Sequence, residues 1–106
     1  MMDILNKKTH YNILYGYYGS LLTKRQQEIF EAYYGDDYSL SEISAELSVS
    51  RNAVFDALKK VEKTLDDLEE KLQFLKKNME IESILKKYES TDTSSLIEEI
   101  RKIINN

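Results

Sequence analysis

Arg51, Asn52 and Phe55 stand close together in the sequence and have side chains suited to reading base edges in duplex DNA. A guanidinium forms paired hydrogen bonds to guanine, an amide does the same to adenine, and an aromatic ring contacts the thymine methyl group. Asp56 and Lys59 follow at spacings that keep them on the same face of a helix. We therefore predict that the base-reading residues are Arg51, Asn52, Phe55, Asp56 and Lys59. In the simpler alternative, Arg51 and Lys59 are solvated helix residues and Phe55 fills a gap against another helix.

Asp56 counts against DNA binding, because a carboxylate on the reading face repels phosphates unless it accepts a hydrogen bond from cytosine. It could instead pair with Lys59 or Lys60 along the helix. Candidate phosphate contacts, which orient a protein on DNA without reading sequence, are Lys24, Arg25, Ser50, Lys60 and Lys63. The net charge is −4, and the only basic stretch is residues 51–79, with 7 basic and 6 acidic side chains. We expect weak non-specific binding that falls steeply with salt.

The elements that position these residues are predicted from helix-capping patterns. Thr23 and Ser39 each begin a capping box, with Gln26 and Glu42 three residues on. Ser48 stands in the turn where glycine is common, and Ser50 precedes the next helix. Two short capped helices joined by a tight turn predict a helix-turn-helix. Its core residues are predicted to be Ile43, Leu47, Val49, Val54 and Leu58, with Val49 plugging the turn.

Apolar residues after the turn alternate at intervals of four and three, which is a heptad pattern. They are Val54, Leu58, Val61, Leu65, Leu68, Leu72, Leu75 and Met79. This pattern predicts one long amphipathic helix over 51–79. Leu65, Leu68, Leu72, Leu75 and Met79 form a predicted homodimer seam, parallel or antiparallel. The alternative is that helices of the tail cover the seam within one chain.

The predicted architecture is all-α, with a helix over Asp3–Tyr18 before the helix-turn-helix, no wing, and a short helical tail. We divide the chain into a helix-turn-helix domain over 1–63, the long helix over 51–79 and the tail over 80–106. The tail is predicted to form a short helix that begins near Ile81 and ends near Ser90, and a last helix capped by Asp92 or Thr93. The tyrosines between Tyr11 and Tyr38 are predicted to pack between the first two helices, although stacking on RNA bases is a second possibility.

Composition excludes several classes of function. The chain has one histidine, no cysteine and no phosphate-binding glycine loop, so we expect no enzyme activity, cofactor, metal or small-molecule substrate. Asp36-Asp37 has turn composition and lacks the other ligands of a calcium loop. Residues 1–10 are polar and lack the apolar run of a signal peptide, so we expect none. We also expect no membrane span, because eighteen consecutive apolar residues are found nowhere, and the absence of cysteine suits a reducing compartment. We expect a cytoplasmic location.

The segments 22–27, 38–44 and 49–54 resemble the helix-turn-helix of bacterial sigma factor region four. The chain is more closely similar to the YlxM family of small bacterial proteins, in the aromatic segment 15–22, the Tyr33-Tyr34 pair and the segment 36–40. The resemblance covers roughly residues 11–75 and only loosely the tail.

This resemblance implies a DNA-binding regulatory protein. Genes of the family commonly lie beside those of signal recognition particle GTPases, which implies a link to protein targeting. The alternative that it implies is a non-enzymatic adaptor that binds signal recognition particle protein or RNA instead of DNA.

Overall fold

The computed structural model describes residues 4–89 and 93–105, with side chains from residue 6 onward. Regular structure in these ranges is helical, without a strand, so the all-α prediction is confirmed. The chain forms two compact units, Met1–Lys71 and Leu72–Asn106. The first unit therefore extends beyond residue 63, the predicted end of the helix-turn-helix domain.

The first unit contains four α-helices. They are α1 (Ile4–Tyr18), α2 (Lys24–Phe30), α3 (Leu40–Leu47) and α4 (Arg51–Leu72). A 3-10 turn over Gly19–Leu21 follows α1, and a π-helical turn over Glu31–Gly35 extends α2. The predicted end of the first helix at Tyr18 is confirmed, while its predicted start at Asp3 lies outside the described residues. The capping box at Thr23 is also confirmed, with the Gln26 amide 3.2 Å from the threonine hydroxyl.

Aromatic rings form the centre of the first unit. Tyr15 stacks on Phe30 with ring centroids 4.2 Å apart, and Phe30 stacks on Tyr34 at 4.6 Å. Gly19 permits the position of Tyr15, because a Cβ at Gly19 would lie 2.9 Å from its ring. Tyr18 is fully buried. The predicted packing of tyrosines between the first two helices is confirmed.

Three tyrosine hydroxyls join α1 and the π-helical turn to one face of α4. Tyr34 donates to Glu62, Tyr11 donates to Asp66 at 2.7 Å, and Tyr18 donates to Glu69 at 2.6 Å. The three carboxylates are four and three residues apart, so they share one helical face. These bonds fix α1 beside the middle of α4.

Leu65 lies between these carboxylates in the sequence and is fully buried within the single chain. The prediction that Leu65 belongs to a dimer seam is therefore wrong. We attribute the burial of Leu65 to α1, because the tyrosine hydrogen bonds hold α1 beside this stretch of α4.

The predicted single helix over 51–79 is wrong beyond Leu72. Gln73 adopts a left-handed backbone conformation, with φ 58° and ψ 32°, and a new helix, α5, spans Phe74–Lys87. A non-glycine residue in this conformation costs about 1–2 kcal/mol, which the packing of the folded chain must offset. The heptad pattern thus continues in the sequence across a break in the helix.

The second unit consists of α5 packed against α6, which spans Ser94–Ile104. Lys87 and Glu99 form an ion pair between the two helices at 3.7 Å, and Ile103 is buried. The predicted helix after Ile81 exists but begins earlier, at Phe74, and ends at Lys87. Ser90, near which it was predicted to end, lies outside the described residues. Thr93 precedes α6 without a capping hydrogen bond from its side chain, and Asp92 lies outside the described residues.

Candidate nucleic-acid interface

The candidate interface is built on α3, the turn after it and the start of α4. The capping box at Ser39 is confirmed, with both the Ser39 and Glu42 side chains accepting backbone amides at 3.0 Å. Ser48 takes the left-handed conformation at φ 55°, as the predicted turn requires. Its amide donates to the Ala45 carbonyl at 3.4 Å and the Val49 amide donates to Ser44 at 3.1 Å. This is the double hydrogen bond that ends a helix in a left-handed cap.

The buried residues beneath the interface are largely those predicted. Ile43, Val54 and Leu58 are at most 4% exposed, and Leu47 is half-buried. Val49 is the exception, because its side chain remains 41% exposed. It therefore does not plug the turn as predicted, and its contribution to the turn includes the backbone hydrogen bond to Ser44.

Ser50 caps α4, with its hydroxyl oxygen accepting the Ala53 amide at 3.0 Å. The hydroxyl proton is not used in that bond and can be donated to a phosphate. The first amides of a helix also carry partial positive charge, which favours an anion at this end. The local structure is thus compatible with the predicted role of Ser50 as a phosphate contact.

All five predicted base-reading residues are exposed on the first turns of α4. Phe55 is 45% exposed, so within this chain it does not fill a gap against another helix. Its ring lies beneath the ammonium of Lys59, with Nζ 5.4 Å from the ring centroid. Arg51 and Asn52 form no side-chain hydrogen bond or ion pair among the described residues. Their donor groups are therefore available to bases.

The charged residues later on this face, Asp56 and Lys59, differ in whether they have an ion-pair partner. Lys59 is also 3.5 Å from the carboxylate of Glu62, so its ammonium is partly neutralised. In the described part of the chain, Asp56 pairs with neither Lys59 nor Lys60. Its charge on the reading face is uncompensated.

The predicted phosphate contacts divide into two groups. Lys24 and Arg25 on the first turn of α2, and Lys60 on α4, are exposed and form no ion pair among the described residues. Lys63 is paired with Asp67 at 3.0 Å, and this hydrogen bond raises the pKa of the Lys63 ammonium. A phosphate would have to compete with Asp67 for Lys63.

The remaining predicted seam residues lie on both sides of Gln73. Leu68 on α4 and Leu75 on α5 are half-buried. Leu72 is 40% exposed and Met79 is 64% exposed. The predicted seam is therefore divided between two helices instead of forming a stripe along one.

Glu62 is a positioning residue that the sequence analysis missed. Glu62 is 7% exposed as a residue. Its carboxylate accepts a hydrogen bond from the Tyr34 hydroxyl, and the Lys7 and Lys59 ammonium groups each lie at 3.5 Å. It connects the end of the reading face to the core. No local motif distinguishes Glu62 from the exposed charged residues of α4, such as Lys60 and Lys63.

A protein-family model described as "Putative helix-turn-helix protein, YlxM / p13 like" matches residues 5–104. The chain belongs to this family. The YlxM-like chain is 40% identical over 104 residues to a UPF0122 protein of Lactococcus lactis subsp. cremoris strain MG1363, covering 93% of this chain and 94% of the relative. It is 44% identical over 100 residues to one of Desulforamulus reducens, covering 88% and 86%. A third, from Bacillus pumilus, is 40% identical over 107 residues, covering 93% and 97%.

The family match extends across the tail, which the resemblance noted from sequence covered only loosely. It establishes the helix-turn-helix class for this YlxM-like protein. In the described ranges, no set of three acidic, histidine or cysteine side chains is grouped as a metal ion would require. None of the helices there is both long and apolar enough to cross a membrane.

Proposed function

We propose that this protein binds duplex DNA through the exposed face at the start of α4 and acts as a regulator of transcription. The observation that carries the proposal is that Arg51, Asn52 and Phe55 are exposed on a helix-turn-helix with complete caps. The Arg51 and Asn52 side chains also have no hydrogen-bond or ion-pair partner among the described residues. In DNA-bound proteins of this class, the first residues of the second helix contact base edges in the major groove.

Basic residues that flank the reading face support DNA binding through the start of α4. Lys24, Arg25 and Lys60 are exposed and unpaired among the described residues, so they are available to phosphates on either side of the groove. Phosphate contacts supply most of the affinity of non-specific binding. Since these cations are few and Asp56 opposes them, we expect modest affinity with little tolerance of salt.

The proposal is tested by fluorescence anisotropy with a labelled random duplex of about 20 base pairs over a series of salt concentrations. The double variant Lys24→Ala/Lys60→Ala should reduce the slope of log K against log salt by about 1.8, or about 0.9 for each phosphate contact. The matched control, Lys86→Ala/Lys102→Ala, removes two exposed cations of the second unit and should leave the slope unchanged. The absence of any complex at low salt, or equal losses in both variants, would contradict DNA binding through this face.

We also propose that two copies associate, since a dimer would present two copies of α4 to a symmetric DNA site. Leu72 and Met79 of the predicted seam remain exposed and support this association. The molar mass in solution tests it, with Leu72→Lys/Met79→Lys compared with wild type. A wild-type mass of one chain at high concentration would contradict a dimer.

The second candidate function is an adaptor in the signal recognition particle pathway. The acidic character of residues 28–47 favours a protein partner for this role, because carboxylates repel the phosphates of DNA and RNA alike. Pull-down with purified signal recognition particle protein and, separately, with its RNA tests this role. Retention of neither component would leave DNA binding as the better account.

A further inference from the structure

A pocket opens between α2 and α3, away from the residues of the reading face. It has a volume of about 260 Å³ and is lined by Glu28, Ala32, Tyr38, Ile43, Glu46 and Leu47. Ile43 is 2% exposed and forms its apolar floor, while Tyr38 remains 43% exposed. None of the residues predicted to contact DNA lines this pocket.

The size of the pocket limits what it can hold. Sites for drug-sized ligands usually span roughly 300–1,000 Å³, and this pocket is smaller. A dry apolar cavity of about 150 Å³ is sufficient for a benzene molecule. The pocket therefore fits one bulky apolar side chain better than a cofactor.

The charged residues that line the pocket, Glu28 and Glu46, are both acidic. Residues 28–47 contain 6 acidic side chains and no lysine, arginine or histidine. Some of these carboxylates are engaged locally, since Glu42 caps α3 and Asp37 pairs with Lys8 at 2.6 Å. Glu28 and Glu46 are exposed, and their carboxylates have no hydrogen bond or ion pair among the described residues. Two uncompensated carboxylates thus flank an apolar opening.

These two carboxylates disfavour a nucleic acid as the occupant, because they repel phosphates. We propose that the pocket is a docking site for a basic amphipathic helix of a partner protein. The helix inserts one leucine, methionine or phenylalanine above Ile43 and places lysine or arginine residues beside Glu28 and Glu46. Amphipathic helices commonly bind apolar depressions through such anchors, and residues one turn from the anchor lie on the same face. The protein would then contact DNA bases through α4 and a protein partner through Glu28 and Glu46.

The test uses a synthetic alanine-rich peptide of about 15 residues, long enough to form a helix, with a central leucine and a lysine one turn to each side. Titration into the ¹⁵N-labelled full chain should shift amide resonances of residues 28–47 and leave those of 51–59 unchanged. Replacing the peptide leucine with alanine should weaken binding by about tenfold, because the buried anchor is lost.

Two charge variants of the protein locate the site. Glu28→Lys/Glu46→Lys should weaken peptide binding by at least about tenfold, because two attractions become repulsions. Its matched control, Glu80→Lys/Glu82→Lys, changes the net charge equally at exposed positions of α5 and should retain the affinity. Glu28→Gln/Glu46→Gln gives an intermediate loss and provides a milder variant if the lysine variant unfolds.

The proposal is overturned if no amide shifts at about millimolar peptide, the weak end of specific binding. It is equally overturned if both lysine variants lose affinity alike, or if the leucine and alanine peptides bind equally. DNA affinity of Glu28→Gln/Glu46→Gln should be unreduced. Failure of peptide docking is therefore distinguishable from failure of DNA binding.

Discussion

The phenolic hydroxyl of Tyr34 donates a hydrogen bond to the buried carboxylate of Glu62, which joins the end of the second helix to the middle of α4. Glu62 also lies 3.5 Å from Lys59, on the candidate DNA-reading face. The position of Lys59 is therefore coupled to the aromatic core through a single carboxylate. Changes at Tyr34 should affect both stability and the reading face.

Tyr34→Phe is expected to lower the free energy of unfolding by about 1–3 kcal/mol, because it removes a donor from a buried carboxylate while keeping the ring. Denaturant unfolding measures this change. Tyr33→Phe is the matched control: its hydroxyl forms no hydrogen bond among the described residues, so its effect should be under about 0.5 kcal/mol. Equal losses in the two variants would contradict the role assigned to the bond between Tyr34 and Glu62.

Stability is expected to fall as pH rises above about 10. Burial, followed by the hydrogen bond to Glu62, raises the pKa of Tyr34 above its ordinary value of 10.0. Below that pH the phenol is protonated in both states, whereas above it the unfolded state loses the proton first and is favoured.

A tyrosine whose pKa is raised in this way contributes up to about 1.4 kcal/mol per pH unit to the decrease in the free energy of unfolding above pH 10. Burial also raises the pKa values of Tyr11 and Tyr15, so some alkaline loss should remain in Tyr34→Phe. Unfolding measured from pH 8 to 11 should show a shallower decline in the variant. Parallel profiles would exclude Tyr34 as a contributor.

Ser48→Gly is expected to stabilise the helix-turn-helix by about 1 kcal/mol, because glycine adopts the left-handed conformation of this turn without steric cost. Ala45→Gly, at an exposed position within α3, should instead destabilise by about 1 kcal/mol. Thermal unfolding distinguishes the two changes by their opposite signs. A destabilised Ser48→Gly would mean that the serine side chain contributes more than its backbone strain costs.

Local signals were sufficient to predict the helix-turn-helix. The capping patterns at Thr23 and Ser39 identify helix starts because each side chain satisfies amides only a few residues away. The turn at Ser48 was predictable from its position between two such helices. The exposure of Asn52 was predictable, because the buried residues Val54 and Leu58 lie on the opposite side of α4.

The break in the helix at Gln73 and the burial of Leu65 within one chain could not be predicted from local signals. Gln73 is a good helix former, so no local residue pattern indicates its left-handed conformation. Leu65 fits a heptad equally well whether α1 or a second chain covers it. The burial of Glu62 depends on Tyr34, which is 28 residues away in the sequence.

Asp56→Asn is expected to increase affinity for a random duplex about fivefold, since it removes an uncompensated charge worth about 1 kcal/mol against a phosphate in water. Anisotropy titration at low salt measures the gain. Glu70→Gln removes an exposed carboxylate farther along α4 and should change the affinity much less. A similar gain in both variants would indicate a general charge effect and place Asp56 away from the DNA.

Selection of bound duplexes from a random pool tests most directly the claim that α4 reads DNA. We predict that the wild type enriches a sequence with a guanine at one position. Arg51→Ala should lose only this preference, which corresponds to about 1–3 kcal/mol of discrimination against the other bases. Preferences at the other positions should persist. A pool that remains random after selection by the wild type, or an identical enriched sequence for Arg51→Ala, would contradict the account.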